Sequence, residues 1–274
     1  MAGWICAACG VQYADTETVP ERCIICSDDR QYVKESGQRW TTLAELTAAG
    51  HQTRFEEIER GLHTIRIEPT VGIGQRTLLI TTSDGNLLWD ANGFIDEAGI
   101  ERVRELGGIA AISASHPHMY GAMIEWSEAF GGAPVYVPEA DKEWVTRPDP
   151  AVRFWSDQEK VLPEVTLVQC GGHFRGSATA YWSAGAEGRG LMLAGDTVMV
   201  AQDRGWVSFM RSYPNYIPLS AKAVRLISAR LQPYEFDRLY DNFRGVAKTG
   251  AKAAVARSAE RYAKWVSGEM DHLI

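Results

Sequence analysis

The chain has 274 residues, of which 45% are hydrophobic and 23% charged, and its formal net charge is -7. This composition is typical of a globular protein with a sizeable core, and it excludes collagen, a coiled coil and extended disorder. The longest run with few charges, 107–117, is far shorter than the roughly 20 apolar residues of a membrane helix, and the N terminus lacks the basic start of a secretion signal. The excess of acidic residues disfavours binding to the phosphates of nucleic acid. We therefore expect a cytoplasmic protein without membrane or nucleic-acid partners.

Four of the five cysteines fall within the first 26 residues, in two C-x-x-C pairs separated by thirteen residues. Each two-residue spacer lets a tight turn direct two thiolates at one tetrahedral ion. The predicted ligands of this metal module, residues 1–36, are Cys6, Cys9, Cys23 and Cys26. A segment this short cannot bury enough surface to fold alone, so we expect metal binding to supply its folding free energy.

The segment around these cysteines resembles the rubredoxin-like ribbon at the end of rubrerythrins. That resemblance implies iron and electron transfer as one use of the module. The second pair lacks the proline that usually follows its first cysteine, which favours a structural zinc over iron. Residues 1–36 also contain six acidic and three basic residues, which argues against a nucleic-acid ribbon.

A connector helix is predicted within 37–54, where Thr42 can cap the start of the helix and Gly50 can end it. From residue 55 onward, strands alternate with helices, which predicts an α/β fold over 55–274. Strands are predicted at 62–67, 77–82, 86–90, 109–113, 135–137, 165–169, 179–183 and 191–194, and helices near 96–106, 122–130, 139–145, 221–231 and 247–266.

Histidines and an aspartate follow several of the predicted strands. His116 and His118 come after one strand, His173 follows a second, and Asp196 follows a third. Three imidazoles and a carboxylate are the ligands that zinc or iron takes in catalytic sites that keep a position for water. The sequence therefore predicts one zinc or iron ion held by these four side chains. The alternative is that His116 and His118 are ordinary loop histidines.

These motifs resemble the metallo-β-lactamase superfamily over 55–274. The strand-end aspartate of its first motif matches Asp90, its H-x-H matches His116 and His118, its single histidine matches His173, and its G-D motif matches Asp196. The resemblance implies an αββα sandwich of two sheets, preceded here by the four-cysteine ribbon. It also implies a site along one edge of that sandwich.

The second-metal ligands of that superfamily are missing. The family pattern H-x-H-x-D-H is replaced at its last two positions by Tyr120 and Gly121, and no histidine stands where a closing ligand is expected. Asp241 lies near that place and is an alternative carboxylate ligand. The resemblance therefore implies a divergent, single-metal site.

We expect a metal-dependent hydrolase that uses one metal-activated water on a small ester, lactone, thioester or amide. Asp196 is a predicted catalytic ligand or an orienting group for a histidine, and Tyr120 is a predicted hydrogen-bond donor to the developing oxyanion. Two other functions stay open: a catalytically silent binding scaffold, and a redox protein served by an iron-binding ribbon. Homo-oligomerisation is compatible with the module but is not required by the sequence.

Overall fold

The computed structural model describes residues 2–274, so the first residue of the expected 1–36 module lies outside the described residues. The module is built on three short antiparallel strands in the order β2-β1-β3. The first C-x-x-C pair begins at the last residue of β1, Cys6, and continues into a tight turn that Gly10 closes with a φ of 84°. The strands are β1 (Ala2–Cys6), β2 (Gln12–Thr16) and β3 (Trp40–Thr41).

The connector is shorter than the predicted 37–54 helix. Only α1 (Leu43–Ala48) is helical. Thr42 and Glu45 form a capping box that fixes the start of the helix, while Trp40 is held in β3 by pairing with Cys6. The first strand of the next sheet already begins at Gln52, three residues before the expected boundary.

The first sheet has seven strands in the order β10-β9-β8-β7-β6-β5-β4. Its β4 to β7 strands form an antiparallel meander, and β7 to β10 are parallel to one another because helical segments connect them. These elements are β4 (Gln52–Glu59), β5 (Leu62–Glu68), β6 (Thr77–Thr82), β7 (Gly85–Trp89), α2 (Glu97–Glu105), β8 (Ala111–Ser113), α3 (Met123–Ala129), β9 (Val135–Pro138) and β10 (Val152–Trp155). The helix predicted near 139–145 is a 3-10 helix, Glu139–Trp144.

The second sheet has six strands in the order β11-β12-β13-β14-β19-β20, and two small hairpins lie between β14 and β19 along the chain. The predicted last helix starts at Ala251 and not at 247, because Val246 and Ala247 pair with β19. The elements are β11 (Gln158–Leu162), β12 (Val165–Gln169), β13 (Ala178–Trp182), the one-turn α4 (Gly185–Gly188), β14 (Leu191–Leu193), β15 (Met199–Val200), β16 (Val207–Ser208), β17 (Met210–Ser212), β18 (Ile217–Pro218), α5 (Ala221–Leu231), β19 (Arg238–Tyr240), β20 (Val246–Ala247) and α6 (Ala251–Val266).

Three apolar layers separate the helices and the sheets, which confirms the αββα sandwich. Trp89 on the first sheet and Leu193 on the second belong to the layer between the sheets. Trp126 of α3 packs on the outer face of the first sheet, and Val255 of α6 packs on the outer face of the second. The four buried cysteines join the layer that contains Trp126, so the module is anchored to the first half of the sandwich.

The strand directions bring several loops to one edge of the sandwich. Parallel β7 and β8 end at the same edge, and so do parallel β14 and β19 in the second sheet. Because β13 is antiparallel to both β12 and β14, β12 also ends there. No helix within residues 2–274 has the length and apolar character needed to cross a membrane.

Candidate metal centre

Four buried side chains converge at this edge: His116, His118, His173 and Asp196. Each offers one ligand atom, and these atoms all lie within 4.8 Å of one another. Asp196 Oδ2 is 3.6 Å from Nε2 of His116 and 3.7 Å from Nε2 of His173. The arrangement that the sequence predicted for these four residues is therefore present.

The ligand atoms of this cluster have no partner in the protein. Nε2 of His116, His118 and His173 is buried and makes no hydrogen bond with any residue of 2–274, and the same holds for Oδ1 of Asp196, the second oxygen of the carboxylate whose Oδ2 faces the histidines. Leaving so many polar atoms unpaired in one buried place is costly, whereas a cation shared by all four would satisfy them. The donor set of three imidazoles and a carboxylate fits zinc or iron.

Hydrogen bonds at the other ring nitrogen orient two of the imidazoles. Nδ1 of His173 lies 3.2 Å from the carbonyl oxygen of Met210, which can only accept, so Nδ1 carries the proton and Nε2 keeps its lone pair. Nδ1 of His116 lies 2.9 Å from Oγ of Ser115. Both rings are thus turned so that Nε2 points to the shared centre.

The backbone under His116 is fixed by the aspartate of the first motif. Asp90 has a φ of 61° and accepts the Ser115 N–H through Oδ1 at 2.6 Å. Gly195 presses against the same serine: a Cβ at that position would lie 2.2 Å from Ser115 Oγ. The glycine of the G-D motif is therefore required by close packing, and it brings Asp196 up to His116.

The electrostatics of the cluster favour a bound cation. Burial, together with the neighbouring imidazoles and Arg30, lowers the pKa of His116 and His118 well below the usual value, and burial lowers the pKa of His173 to about 4. Burial raises the pKa of Asp196 to about 8, with smaller contributions from Asp90 and Asp241. The imidazoles are therefore neutral and available as ligands, and a cation would stabilise the carboxylate that burial disfavours.

The four cysteines of the module form a second cluster with the geometry of a metal site. Their sulfur atoms lie within 4.8 Å of one another, with 3.7 Å between Cys6 and Cys26 and 3.9 Å between Cys9 and Cys23. All four are buried and none is in a disulfide. Hydrogen bonds from the other three thiols lower the pKa of Cys6, and Gln38 Nε2 donates to its sulfur at 3.2 Å. This set of donors suits zinc or iron in tetrahedral coordination.

The four-cysteine module packs against the histidine site. Arg30 donates from Nε to the carbonyl oxygen of His173 at 2.6 Å, and its guanidinium lies 4.2 Å from the ring centre of Phe174. On the other side, the Gln12 N–H donates to the carbonyl oxygen of Gly121 at 3.1 Å. The module therefore contacts both the loop that carries His173 and the loop that follows His116 and His118.

Packing explains the missing second-metal ligand at position 121. Gly121 has a φ of 42°, and a Cβ there would lie 2.2 Å from the carbonyl oxygen of Ala91. No larger residue fits without a backbone shift. The suggested alternative ligand, Asp241, is not grouped with the histidines: its carboxylate accepts backbone N–H groups of Phe243, Gly245 and Val200.

Tyr120 is buried, with 2% of its surface exposed, and its hydroxyl has no hydrogen-bond partner among the described residues. Burial, with a smaller contribution from Asp141, raises its pKa well above the usual value, so it is a neutral donor. Its catalytic role stays a prediction.

Sequence reasoning missed Arg30 and Asp141, because no motif marks either residue. It also missed Ser115, which its position beside His116 could have indicated.

Solved structures of metallo-β-lactamases are similar to this chain in fold. The DIM-1 metallo-β-lactamase superposes with a TM-score of 0.58 at 10% identity, over 78% of this chain and 98% of that one. A metallo-β-lactamase of Cronobacter sakazakii with a HARLDQ motif superposes with a TM-score of 0.51 at 19% identity, over 83% of this chain and 98% of that one. The chain thus has the metallo-β-lactamase fold, joined to an N-terminal four-cysteine module.

No family model matches the chain. At the sequence level, "Uncharacterized protein YmaE" of Bacillus subtilis (strain 168) is 47% identical over 274 residues, which cover 99% of this chain and 100% of that protein. The chain belongs to the same family as this Bacillus protein.

Proposed function

We propose that the protein is a metal-dependent hydrolase of a small organic substrate with an ester, lactone, thioester or amide bond. The observation that carries this proposal is the convergence of four buried side chains, with three imidazole Nε2 atoms unpaired within the described chain, at the loop-bearing edge of a metallo-β-lactamase fold. We infer zinc as the ion in both clusters and the cytoplasm as the location, where thiols stay reduced.

His116, His118, His173 and Asp196 would hold the ion. When bound, such an ion acts as a Lewis acid and lowers the pKa of a coordinated water, which makes hydrolysis feasible near neutral pH. Ser115 and the Met210 carbonyl oxygen hold two of the rings in the ligating orientation. The three imidazoles add no negative charge, so the ion would keep most of its positive charge.

The surroundings of the site keep bulk water away from it. His116, His118 and His173 are each 1% exposed, and Phe174 is within 5.8 Å of all three imidazole ring centres. A dry site strengthens electrostatic interactions with a reacting carbonyl. In this proposal Tyr120 donates its hydroxyl proton as a hydrogen bond to the oxygen that becomes negative.

The test combines metal content with hydrolysis. The purified protein is expected to contain two equivalents of zinc and to hydrolyse members of a panel of aryl esters, lactones and thioesters. His118→Ala is expected to lose one equivalent and to reduce kcat/KM by about a hundredfold or more. His272→Ala is the control, because His272 is an exposed histidine near the C terminus. Full activity in His118→Ala would rule out this site as the catalytic one.

A redox role is the second candidate, and one observation favours it. The module that holds the cysteine cluster is hydrogen-bonded to the loops of the histidine cluster, through Arg30 to the carbonyl oxygen of His173 and through Gln12 to that of Gly121. Iron in both clusters, with a visible thiolate charge-transfer band that bleaches on reduction, would support electron transfer between them. Colourless protein with two zinc ions would exclude it.

A further inference from the structure

A cavity lies at the edge that bears the metal cluster. It measures about 520 Å³ and is bounded by the β5–β6 loop, the β15–β16 hairpin and the turn after β19. Four arginines line it: Arg66, Arg76, Arg204 and Arg244. The carboxylates in its wall are Glu68 and Asp241. The lining thus has an excess of two positive charges in a protein whose net charge is -7.

Both carboxylates of the wall already have other partners. Glu68 pairs with Arg54 at 3.2 Å, outside the cavity lining. The Asp241 carboxylate accepts N–H groups of Phe243 and Gly245 at 3.0 and 2.8 Å. Neither acid forms an ion pair with an arginine of the cavity in the described part of the chain.

The arginines retain unused donors. Arg76 donates one Nη2–H to the Asp241 carbonyl oxygen at 3.0 Å, but its buried Nε has no partner in residues 2–274. Arg66 pairs with Glu56 through Nη2 at 3.3 Å, and its buried Nε is likewise unpartnered. Arg204 and Arg244 are exposed and make no side-chain hydrogen bond or ion pair with any described residue.

Two neighbouring strands of the second sheet, β14 and β19, connect the cavity wall to the metal cluster. Leu193 and Tyr240 are paired in β14 and β19, and the Ala194 N–H donates to the Tyr240 carbonyl oxygen at 2.8 Å. The next residues of these two strands lead to Asp196, a predicted ligand, and to Asp241, part of the cavity wall. The cavity and the metal cluster therefore lie next to the ends of the same two neighbouring strands.

We propose that this cavity binds an oxyanion, a carboxylate or phosphate group, carried by the substrate at a distance from the bond that is cleaved. This inference rests on the proposed hydrolase for the substrate's identity, but the anion site itself does not depend on hydrolysis. Guanidinium groups present paired N–H donors that match carboxylate and phosphate oxygens, and an anion would satisfy the unpaired donors. The substrate class is then a small anionic ester, lactone, thioester or amide.

The first test measures binding of inorganic phosphate and of glutarate to the metal-loaded protein by isothermal titration calorimetry. The double variant Arg204→Gln/Arg244→Gln is expected to weaken the binding of at least one of these anions by about tenfold or more. The control is Arg60→Gln/Lys160→Gln, which removes the same charge from exposed residues outside the cavity and is expected to change affinity less than about twofold. The anion bound more tightly by the wild type identifies phosphate or carboxylate as the preferred group.

Equal affinities in wild type and Arg204→Gln/Arg244→Gln, or no measurable binding of either anion, would overturn the proposal. Phosphate bound directly at a metal ion would persist in the double variant and would therefore also count against the cavity. Loss of binding in both double variants would show a general charge effect and would overturn it as well.

The second test compares a neutral ester, 4-nitrophenyl acetate, with an anionic one, mono-4-nitrophenyl glutarate. The wild type is expected to prefer the anionic ester in kcat/KM, and the double variant to lose most of that preference through KM. A protein that binds phosphate through the arginines but cleaves neither these esters nor any anionic lactone, thioester or amide would refute the hydrolase while retaining the anion site. A protein that cleaves both esters with no change of preference in the variant would refute the anion site alone.

Discussion

Arg30 in the four-cysteine module donates a hydrogen bond of 2.6 Å to the carbonyl oxygen of His173, a predicted metal ligand 143 residues away in the sequence. The same guanidinium pairs with Asp28 at 2.6 Å and lies against the ring of Phe174. One side chain therefore links the cysteine cluster, the loop of a histidine ligand and an aromatic wall of the site.

Replacing Arg30 by Met should destabilise the protein, because the carbonyl of His173 would lose a charged donor in a buried place. We expect a loss of about 2 kcal/mol, seen as a lower midpoint of thermal unfolding. Arg211→Met is the matched control: it also removes an arginine between the module and the domain, but from a partly exposed pair with Asp29. A smaller effect at Arg30 than at Arg211 would contradict this role.

Removing one thiolate ligand should unfold the module. Cys9→Ser is expected to lower the metal content by one equivalent and to increase protease sensitivity within about the first 40 residues, since metal binding supplies the folding free energy of such a small unit. Elemental analysis and limited proteolysis measure the two effects. Cys170→Ala, at the buried cysteine outside the cluster, should keep both metals. Unchanged metal content in Cys9→Ser would disprove the four-cysteine site.

The role of Tyr120 is tested by Tyr120→Phe, which removes only the hydroxyl group. If the hydroxyl stabilises an oxyanion, kcat should fall by about a hundredfold. Protein stability should stay equal or rise, because the hydroxyl is buried and unpaired in the described residues. Tyr181→Phe, on β13, controls for the loss of a tyrosine hydroxyl elsewhere. A Tyr120→Phe enzyme as fast as the wild type would eliminate this tyrosine from the mechanism.

Asp141 should make stability depend on pH. Burial raises its pKa from 3.8 to about 6, although the Gly176 N–H donates to its Oδ1 at 2.7 Å. Because the folded state holds this proton more tightly than the unfolded state, the contribution of Asp141 to stability is greatest below about pH 4 and is lost as the pH rises through about 6. The loss at neutral pH is at most about 3 kcal/mol.

Asp141→Asn keeps an acceptor for Gly176 and removes the charge, so its unfolding midpoint should exceed that of the wild type at about pH 8 by more than at about pH 5. The exposed Glu139→Gln, in the same 3-10 helix, should show no such pH-dependent gain. A gain of equal size at both pH values would mean that the carboxylate is not the cause.

Much of the centre was predictable because its ligands follow strands that the hydrophobic pattern of the sequence predicts. Each of the four ligands, His116, His118, His173 and Asp196, lies shortly after an apolar strand. Parallel strands of one sheet end at the same edge, so residues that follow them lie close together. The contact of Arg30 with His173 was not predictable, since it joins residues with no shared motif and depends on how the module docks. The sequence alone shows that glycine occupies position 121, where the superfamily has a metal ligand. Only the structure shows the reason, which is that the Ala91 carbonyl oxygen leaves no room for a side chain there.

The docking contacts of the module also constrain the order of events on the ribosome. The Arg30 carbonyl oxygen accepts the hydroxyl of Ser212, which is made 182 residues later, and Thr146 contacts Gln12 across 134 residues. The four-cysteine module therefore cannot complete its docking contacts until Ser212 has been synthesised, 182 residues after Arg30. Until then the module lacks part of the surface that it packs against in the folded protein, although its contacts with Gly121 and Thr146 can form earlier.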